Sequence, residues 1–278
     1  MKKEFGRIML SAGLLVGAAL AIYSCGKVRE VIPNTENSLF GNANTVGLYF
    51  IKNDPKSEFK IPIGISSLAT TDRTIQFSLT SPTGAAEGAQ YNLGTTSVKI
   101  PAGQSSAELT LKGLFAGYPT GRKDTLNFKI TGGDIPSMKS SNLYTVVMQK
   151  YCDVSLAAFT GTYKAQDYKA NGSPDGGPYT LTITPGTVNA NGTSGFITIT
   201  GLWGVPDPVK INLDWKDPAN FTTSVPTQPW FVDADYGQST IRPNGTRTFS
   251  SCDNSFTIGF ETTVNAGTFG KITSVITK

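Results

Sequence analysis

Short bursts in which apolar and polar residues strictly alternate, separated by turn-forming pairs, constrain the fold of this chain more than any other feature. Successive side chains of a strand point to opposite faces, so a period of two makes one face apolar and the other wet. Ile75, Phe77 and Leu79 oppose Gln76 and Ser78; Ala107, Leu109 and Leu111 oppose Glu108, Thr110 and Lys112; Leu126, Phe128 and Ile130 oppose Asn127 and Lys129. Leu48 with Phe50, Ile61 with Ile63 and Ile65, and Tyr144 with Val146 and Met148 keep the same period. With no convincing helix among them, residues 46–150 are expected to form an antiparallel β-sandwich of Greek-key type.

The pattern resets near Tyr151-Cys152-Asp153, with a single helical turn at Leu156 to Phe159. Tyr179, Leu181 and Ile183 then alternate with threonines, as do Ile197 and Ile199, while Phe256, Ile258 and Phe260 alternate with Thr257 and Gly259. Asn171-Gly172, Asp175-Gly176, Asn191-Gly192 and Asn244-Gly245 mark tight turns, because only Gly, Asn and Asp take positive φ cheaply. Residues 151–278 therefore read as a second antiparallel β domain, barrel-like or a meander, and the whole chain as all-β.

The N-terminus has a different character. Lys2, Lys3 and Arg7 precede an apolar run from Ile8 to Tyr23, shorter than the roughly 20 residues a spanning helix needs. This reads as a signal peptide over residues 1–24. Ile22-Tyr23-Ser24-Cys25 resembles the lipobox of bacterial lipoproteins, although Tyr23 stands where a small residue is usual. The resemblance implies a lipid on Cys25 and anchorage to a membrane; the alternative is an ordinary secretory signal with a Cys nearby. Residues 25–45, rich in Asn, Thr, Ser and Gly, read as a flexible stalk. An outer-membrane lipoprotein is expected. The residues after Cys25, from Gly26 to Glu30, lack an acidic run resembling a surface-export signal, which leaves the displayed leaflet open.

The chain contains no histidine, which excludes Ser-His-Asp and Cys-His catalysis and His-ligated zinc. Charged residues are sparse at 16%, and removal of residues 1–24 leaves +2 of the formal +4 charge, so nothing points to nucleic acid. Cys152 and Cys252 remain after lipidation; in an oxidising envelope they are expected to pair, the alternative being two buried thiols.

Ala86-Glu87-Gly88-Ala89-Gln90-Tyr91, then Val98 to Ala107 with its Ile100-Pro101-Ala102-Gly103 turn, then Asp124-Thr125-Leu126, resemble the Calx-beta repeat over roughly residues 46–150. The resemblance implies an immunoglobulin-like sandwich, of a kind also found on lipoproteins of glycan-foraging Gram-negative bacteria. Some members bind calcium through clustered carboxylates. Here Gln90 stands where an Asp commonly precedes the Tyr, and Glu87, Asp54, Asp72 and Asp124 are scattered, whereas calcium takes six to eight oxygens. No metal or cofactor is expected. Asp124-Thr125-Leu126 also resembles a short O-glycosylation acceptor.

Aromatic faces that stack on the C–H face of a sugar are the natural chemistry for such a protein. Trp215 continues the inward series Val209, Ile211, Leu213 and is assigned to the core. Trp203 and Trp230, in loop-like settings, with Tyr236, Asp233 and Asp235, form the candidate ligand surface; the alternative is that these rings cap one end of the barrel. Asp233 and Asp235 also invite a glycosidase reading, but the domain has no long loops to build a cleft, and no enzyme is expected. The expected function is a non-catalytic binding or accessory protein of an outer-membrane glycan uptake system, with a polysaccharide or an outer-membrane protein as partner. The alternative is a structural or adhesive surface protein that binds another protein.

Overall fold

The computed structural model describes residues 36–278 other than 43, 69 and 120. The expected signal peptide, Cys25 and the expected stalk up to residue 35 lie outside the described residues. Among those described, nine strands build the first part: β1 (Ser38–Phe40), β2 (Val46–Ile51), β3 (Phe59–Ile65), β4 (Arg73–Thr80), β5 (Tyr91–Asn92), β6 (Ser97–Ile100), β7 (Ser106–Gly113), β8 (Lys123–Gly133) and β9 (Leu143–Lys150). They form one sheet in the order β1-β3-β7-β5 and another in the order β2-β9-β8-β4-β6. Inward residues from both, among them Ile61, Ile75, Leu111, Phe128 and Val146, make one apolar core.

Three details differ from the sequence expectation. Residues 38–40, placed in the flexible stalk, are strand β1, paired with β3. A three-residue strand is too short to show a period, yet Phe40 is buried and stacks on Tyr144 with ring centres 5.7 Å apart. In β2 the inward residues are Tyr49 and Ile51, while Leu48 is 55% exposed. Tyr49 fits the core because its hydroxyl donates to the Ser57 carbonyl (2.7 Å) and accepts from the Gly113 N–H (3.1 Å), so the buried polar tip is satisfied. Finally, β2 runs parallel to β9. The chain crosses from β1 in the opposite sheet, and a crossover, unlike a hairpin, does not impose antiparallel pairing.

A short 3₁₀ turn at Leu156–Phe159 leads into the second part: β10 (Gly161–Lys169), β11 (Tyr179–Val188), β12 (Ser194–Thr200), β13 (Val209–Asp214), β14 (Thr222–Ser224), β15 (Gln228–Asp233), β16 (Gly237–Pro243), β17 (Arg247–Ser250), β18 (Ser255–Val264) and β19 (Gly267–Thr277). Eight of them close in the order β10-β11-β12-β13-β14-β17-β18-β19, with β19 returning to β10. The sheet is a closed barrel, which removes exposed edges from these eight strands. The β15–β16 hairpin branches off the far half of β18, where Arg242 pairs with Glu261. Leu181, Ile183, Ile197, Ile199, Ile211 and Ile258 fill the interior, as their alternation requires. Trp215, just past β13, packs half-buried against this core.

The two parts meet through a compact joint. Phe50, Tyr151, Phe221 and Phe249 form a relay of rings with successive centres 5.9, 5.8 and 5.3 Å apart. Cys152 and Cys252 form a disulfide with Cα atoms 5.1 Å apart, which clips the segment after β9 to the turn between β17 and β18. Lys123 Nζ donates to the Ala219 carbonyl (3.0 Å) and Gln149 Nε2 to that of Pro218 (3.1 Å).

Candidate ligand-binding site

The barrel end remote from this joint is closed by aromatic rings. Trp203 lies in the 3₁₀ turn after β12, Trp230 and Phe231 on β15, Phe260 on β18 and Phe269 on β19. Trp203 packs against Trp230, Phe260 and Phe269 with centres 5.9, 5.5 and 6.4 Å apart. Trp230 meets Phe231 edge-on at 4.9 Å, and Tyr236 meets Phe269 at 6.1 Å. Edge-to-face pairs of this kind add roughly 0.5–1.5 kcal/mol each beyond the area they bury.

The cluster is graded from inside to outside. Trp230 is only 6% exposed, and its Nε1 donates to the Asp207 carbonyl at 3.2 Å. It therefore supports the layer above it and does not itself offer a free face. The rings that reach solvent are Tyr236, 51% exposed, and Phe269, 41% exposed, beside Val232 at 72%; Trp203 and Phe231 are half-buried between the layers. Sequence reasoning named Trp203, Trp230 and Tyr236 but missed Phe231 and Phe269. Phe269 was legible in principle: an aromatic beside Gly270 in a hairpin has no core to enter.

Asp233 and Asp235 do not converge as an acid–nucleophile pair. Asp233 Oδ1 accepts the N–H groups of Asp235 (2.9 Å) and Tyr236 (3.0 Å), an Asx turn that shapes the β15–β16 loop and holds Tyr236 in place. Asp235 is exposed.

Beneath the rings lies a polar group that the sequence reading also missed. Asp167, on the inward face of β10 after Tyr163 and Ala165, is 1% exposed. Its Oδ1 accepts the hydroxyls of Tyr179 (3.1 Å) and Ser274. Burial pushes its carboxyl above the usual range, the Ser274 and Tyr179 hydroxyls oppose this by hydrogen bonding, and Asp175 adds to the rise. Burial and the nearby Asp167 charge likewise raise the Tyr179 phenol. Trp203 itself is left-handed, at φ 58 and ψ 20, between left-handed Gly201 and Gly204. For a bulky L-residue that conformation costs roughly 1–2 kcal/mol and persists only where the surroundings over-determine it. Thr262, two residues beyond Phe260 on β18, is fully buried with an unpartnered hydroxyl.

A cavity of about 450 Å³ lies instead at the joint, lined by Arg122, Lys123, Gln149, Tyr151, Phe221 and Phe249 among others. Its polar walls are already engaged: Lys123 and Gln149 bridge to the barrel loop, and Arg122 binds the buried Asp124 at 2.8 Å. We read it as part of the joint. In the sandwich, Glu87 Oε1 accepts the N–H groups of Leu93 (3.0 Å) and Gly94 (2.9 Å), and Asp72 pairs with Lys99 and the Ala102 N–H. These carboxylates brace loops, and among the described residues no three acidic or cysteine side chains gather as a metal site.

The sequence matches no protein-family model and no curated protein. Among solved structures the chain is similar to a multidomain protein including DUF1735 from Bacteroides ovatus, at 14% identity and a TM-score of 0.32 over 86% of this chain and 92% of that one. A second Bacteroides ovatus protein, for which carbohydrate binding has been suggested, gives 11% identity and 0.35 over 84% and 69%. The calcium binding domain CBD12 of CALX1.1 gives 9% and 0.36 over 62% and 80%. At such scores the likenesses carry no functional inference. The fold defines the class: an all-β protein that joins a β-sandwich to a closed eight-stranded barrel.

Proposed function

We propose that this is a non-catalytic binding protein of the bacterial cell envelope, anchored through a lipid on Cys25, whose barrel recognises a glycan at its aromatic end. The observation that carries the reading is the pair Tyr236 and Phe269, exposed on a layer of buried rings. An aromatic side chain held in advance loses little entropy on binding and offers its face to the C–H groups of a sugar. The disulfide fits an oxidising compartment, and the charged, apolar, Cys-ending N-terminus fits export. The absence of histidine and the use of Asp233 within its own turn favour binding without catalysis. Placement at the outer membrane, in a system that imports glycans, belongs to the same proposal.

A second reading has its own observation. Strand β15 ends its sheet, and such an edge, with Val232 exposed upon it, offers a partner protein a strand to pair with. Affinity gels loaded with a panel of polysaccharides separate the two. Retention of the wild type that disappears in Tyr236→Ala/Phe269→Ala, with unchanged circular dichroism, supports the glycan reading. No retardation on any polysaccharide, together with capture of an envelope protein that Val232→Lys abolishes, supports the second.

A further inference from the structure

A second hollow, of about 430 Å³, opens on the outer wall of the barrel where β18, β19 and β10 run side by side. Tyr168, Lys169, Asn244, Arg247, Lys271 and Thr273 line it, and no residue of its lining is acidic. Gly259, Thr273 and Tyr168 form one row across the three strands. The nearest acids are engaged outside the hollow: Asp175 reaches Lys169 at 3.4 Å, and Glu261, in register with Lys271, accepts the Thr268 hydroxyl at 2.9 Å. Among the described residues neither Arg247 nor Lys271 has a carboxylate within ion-pair distance. A recess walled by one sign of charge concentrates ions of the other.

Arg247 is held in place by the backbone around it. The Asn244-Gly245 turn carries the chain from β16 to β17 across Gly259, and the Asn244 N–H donates to the Gly259 carbonyl at 3.0 Å. A Cβ on Gly259 would lie 2.3 Å from the Asn244 carbonyl oxygen and 3.4 Å from Arg247 Cζ. One on Gly245, which is left-handed at φ 74, would lie 2.8 Å from Arg247 Nη1. The guanidinium therefore packs, half-buried, against two positions that carry no side chain. It donates to the Thr246 carbonyl at 3.1 Å, which leaves most of its fork of N–H donors without a protein acceptor among the described residues. Such a fork matches the paired oxygens of a carboxylate or sulfate.

We propose that this hollow is an anion subsite, in which Arg247 takes a carboxylate or sulfate group between its paired donors, Lys169 and Lys271 balance the charge, and the glycan that the barrel binds is an acidic one. Lys271 stands two residues beyond the exposed Phe269 on β19, so a polymer stacked on that ring brings an acidic substituent to the cations. The glycan as carrier rests on the reading above; the capture of an anionic group does not.

Matched affinity gels isolate the charge: polygalacturonate against its methyl ester, and dextran sulfate against dextran. The wild type is expected to be retained by the charged member of at least one pair, the first pair reporting carboxylate and the second sulfate. Arg247→Gln is expected to weaken that retention at least about tenfold, whereas Lys216→Gln, which removes the same charge from an exposed loop position, leaves it unchanged. Gly259→Ala alters no charge but displaces the Asn244–Arg247 turn, and is expected to weaken retention as Arg247→Gln does. Should Gly259→Ala fail to fold, Arg247→Gln against Lys216→Gln still decides. No preference for the charged member of either pair, equal losses in Arg247→Gln and Lys216→Gln, or full retention by a folded Gly259→Ala overturns the subsite. Retention that depends on Arg247 but survives in Tyr236→Ala/Phe269→Ala upholds the subsite and counts against the aromatic reading. Retention that depends on those rings and is equal on charged and uncharged gels overturns the subsite and leaves the glycan reading standing.

Discussion

The two ends of the barrel are built from the same chemistry and put to different uses. At the joint, Phe159, Phe249 and Phe256 pack with centres 4.9–6.0 Å apart, all three buried, under the disulfide and the Tyr151–Phe221 contact. At the remote end the rings are as closely associated, yet the outer ones, Tyr236 and Phe269, stay in water. Burying rings at the joint contributes to folding and to fastening the sandwich. Leaving them exposed forgoes roughly 25 cal/mol for each Å² of apolar area, and adjoining rings kept in solvent beside a packed layer are what the proposed binding surface requires.

That contrast predicts unequal costs for equal truncations, with the largest at the joint. Phe159→Ala removes a fully buried ring in contact with Phe249 and Phe256 and is expected to destabilise by about 3–5 kcal/mol in urea denaturation; a loss below about 1 kcal/mol would show this end to be loosely packed. Replacing both Cys152 and Cys252 by Ser opens a link between residues separated by 100 positions and is expected to cost about 2–5 kcal/mol, read as a drop in the denaturation midpoint. Polysaccharide retention by the folded fraction should be unchanged, because the bridge and the remote rings lie at opposite ends.

How much of this was legible follows from which signals are local. Strand alternation and the Asn-Gly turns depend on neighbours in sequence, and Gly172 and Gly192 do sit at φ 82 and 70. The face of β2 was ambiguous because Leu48, Tyr49, Phe50 and Ile51 are all apolar enough to enter a core; the hydrogen bonds of Tyr49 decide it, and they come from distant residues. The candidate site was half legible. Trp203, Trp230 and Tyr236 announce themselves as large rings, but burial of Trp230 depends on Asp207, and the value of Phe269 depends on a hairpin that closes against β15. Asp167 was there to be read, as a charge on the inward phase Tyr163, Ala165, Asp167, although its partners Tyr179 and Ser274 are brought to it only by barrel closure.

A smaller effect tests whether the remote end conceals a polar anchor. Burial holds the Asp167 carboxyl above the ordinary carboxylate range, with Asp175 acting in the same direction. The folded chain thus binds this proton more tightly than the unfolded chain. The resulting stabilisation is complete below the unfolded value of about 3.9 and is lost as pH rises through the raised folded value. Asp167→Asn cannot ionise, so its stability relative to the wild type should increase with pH across that window and level off on either side. Urea denaturation at a series of pH values measures it. A difference that does not vary with pH would mean that the carboxyl feels water, and the two ends would then differ only in exposure.

The smallest expected effect on stability discriminates most sharply. Tyr236→Ala removes a ring that is half in solvent from a turn held by the Asp233 carboxylate through backbone N–H groups, so the turn keeps its hydrogen bonds when the ring is gone. Denaturation should match the wild type within about 0.5 kcal/mol, as for surface positions generally, while polysaccharide retention falls. A loss of about 2 kcal/mol or more would instead make Tyr236 part of the plug. The remote end would then be a second closed end like the joint, and the search for a binding surface would move to the free edge of β15.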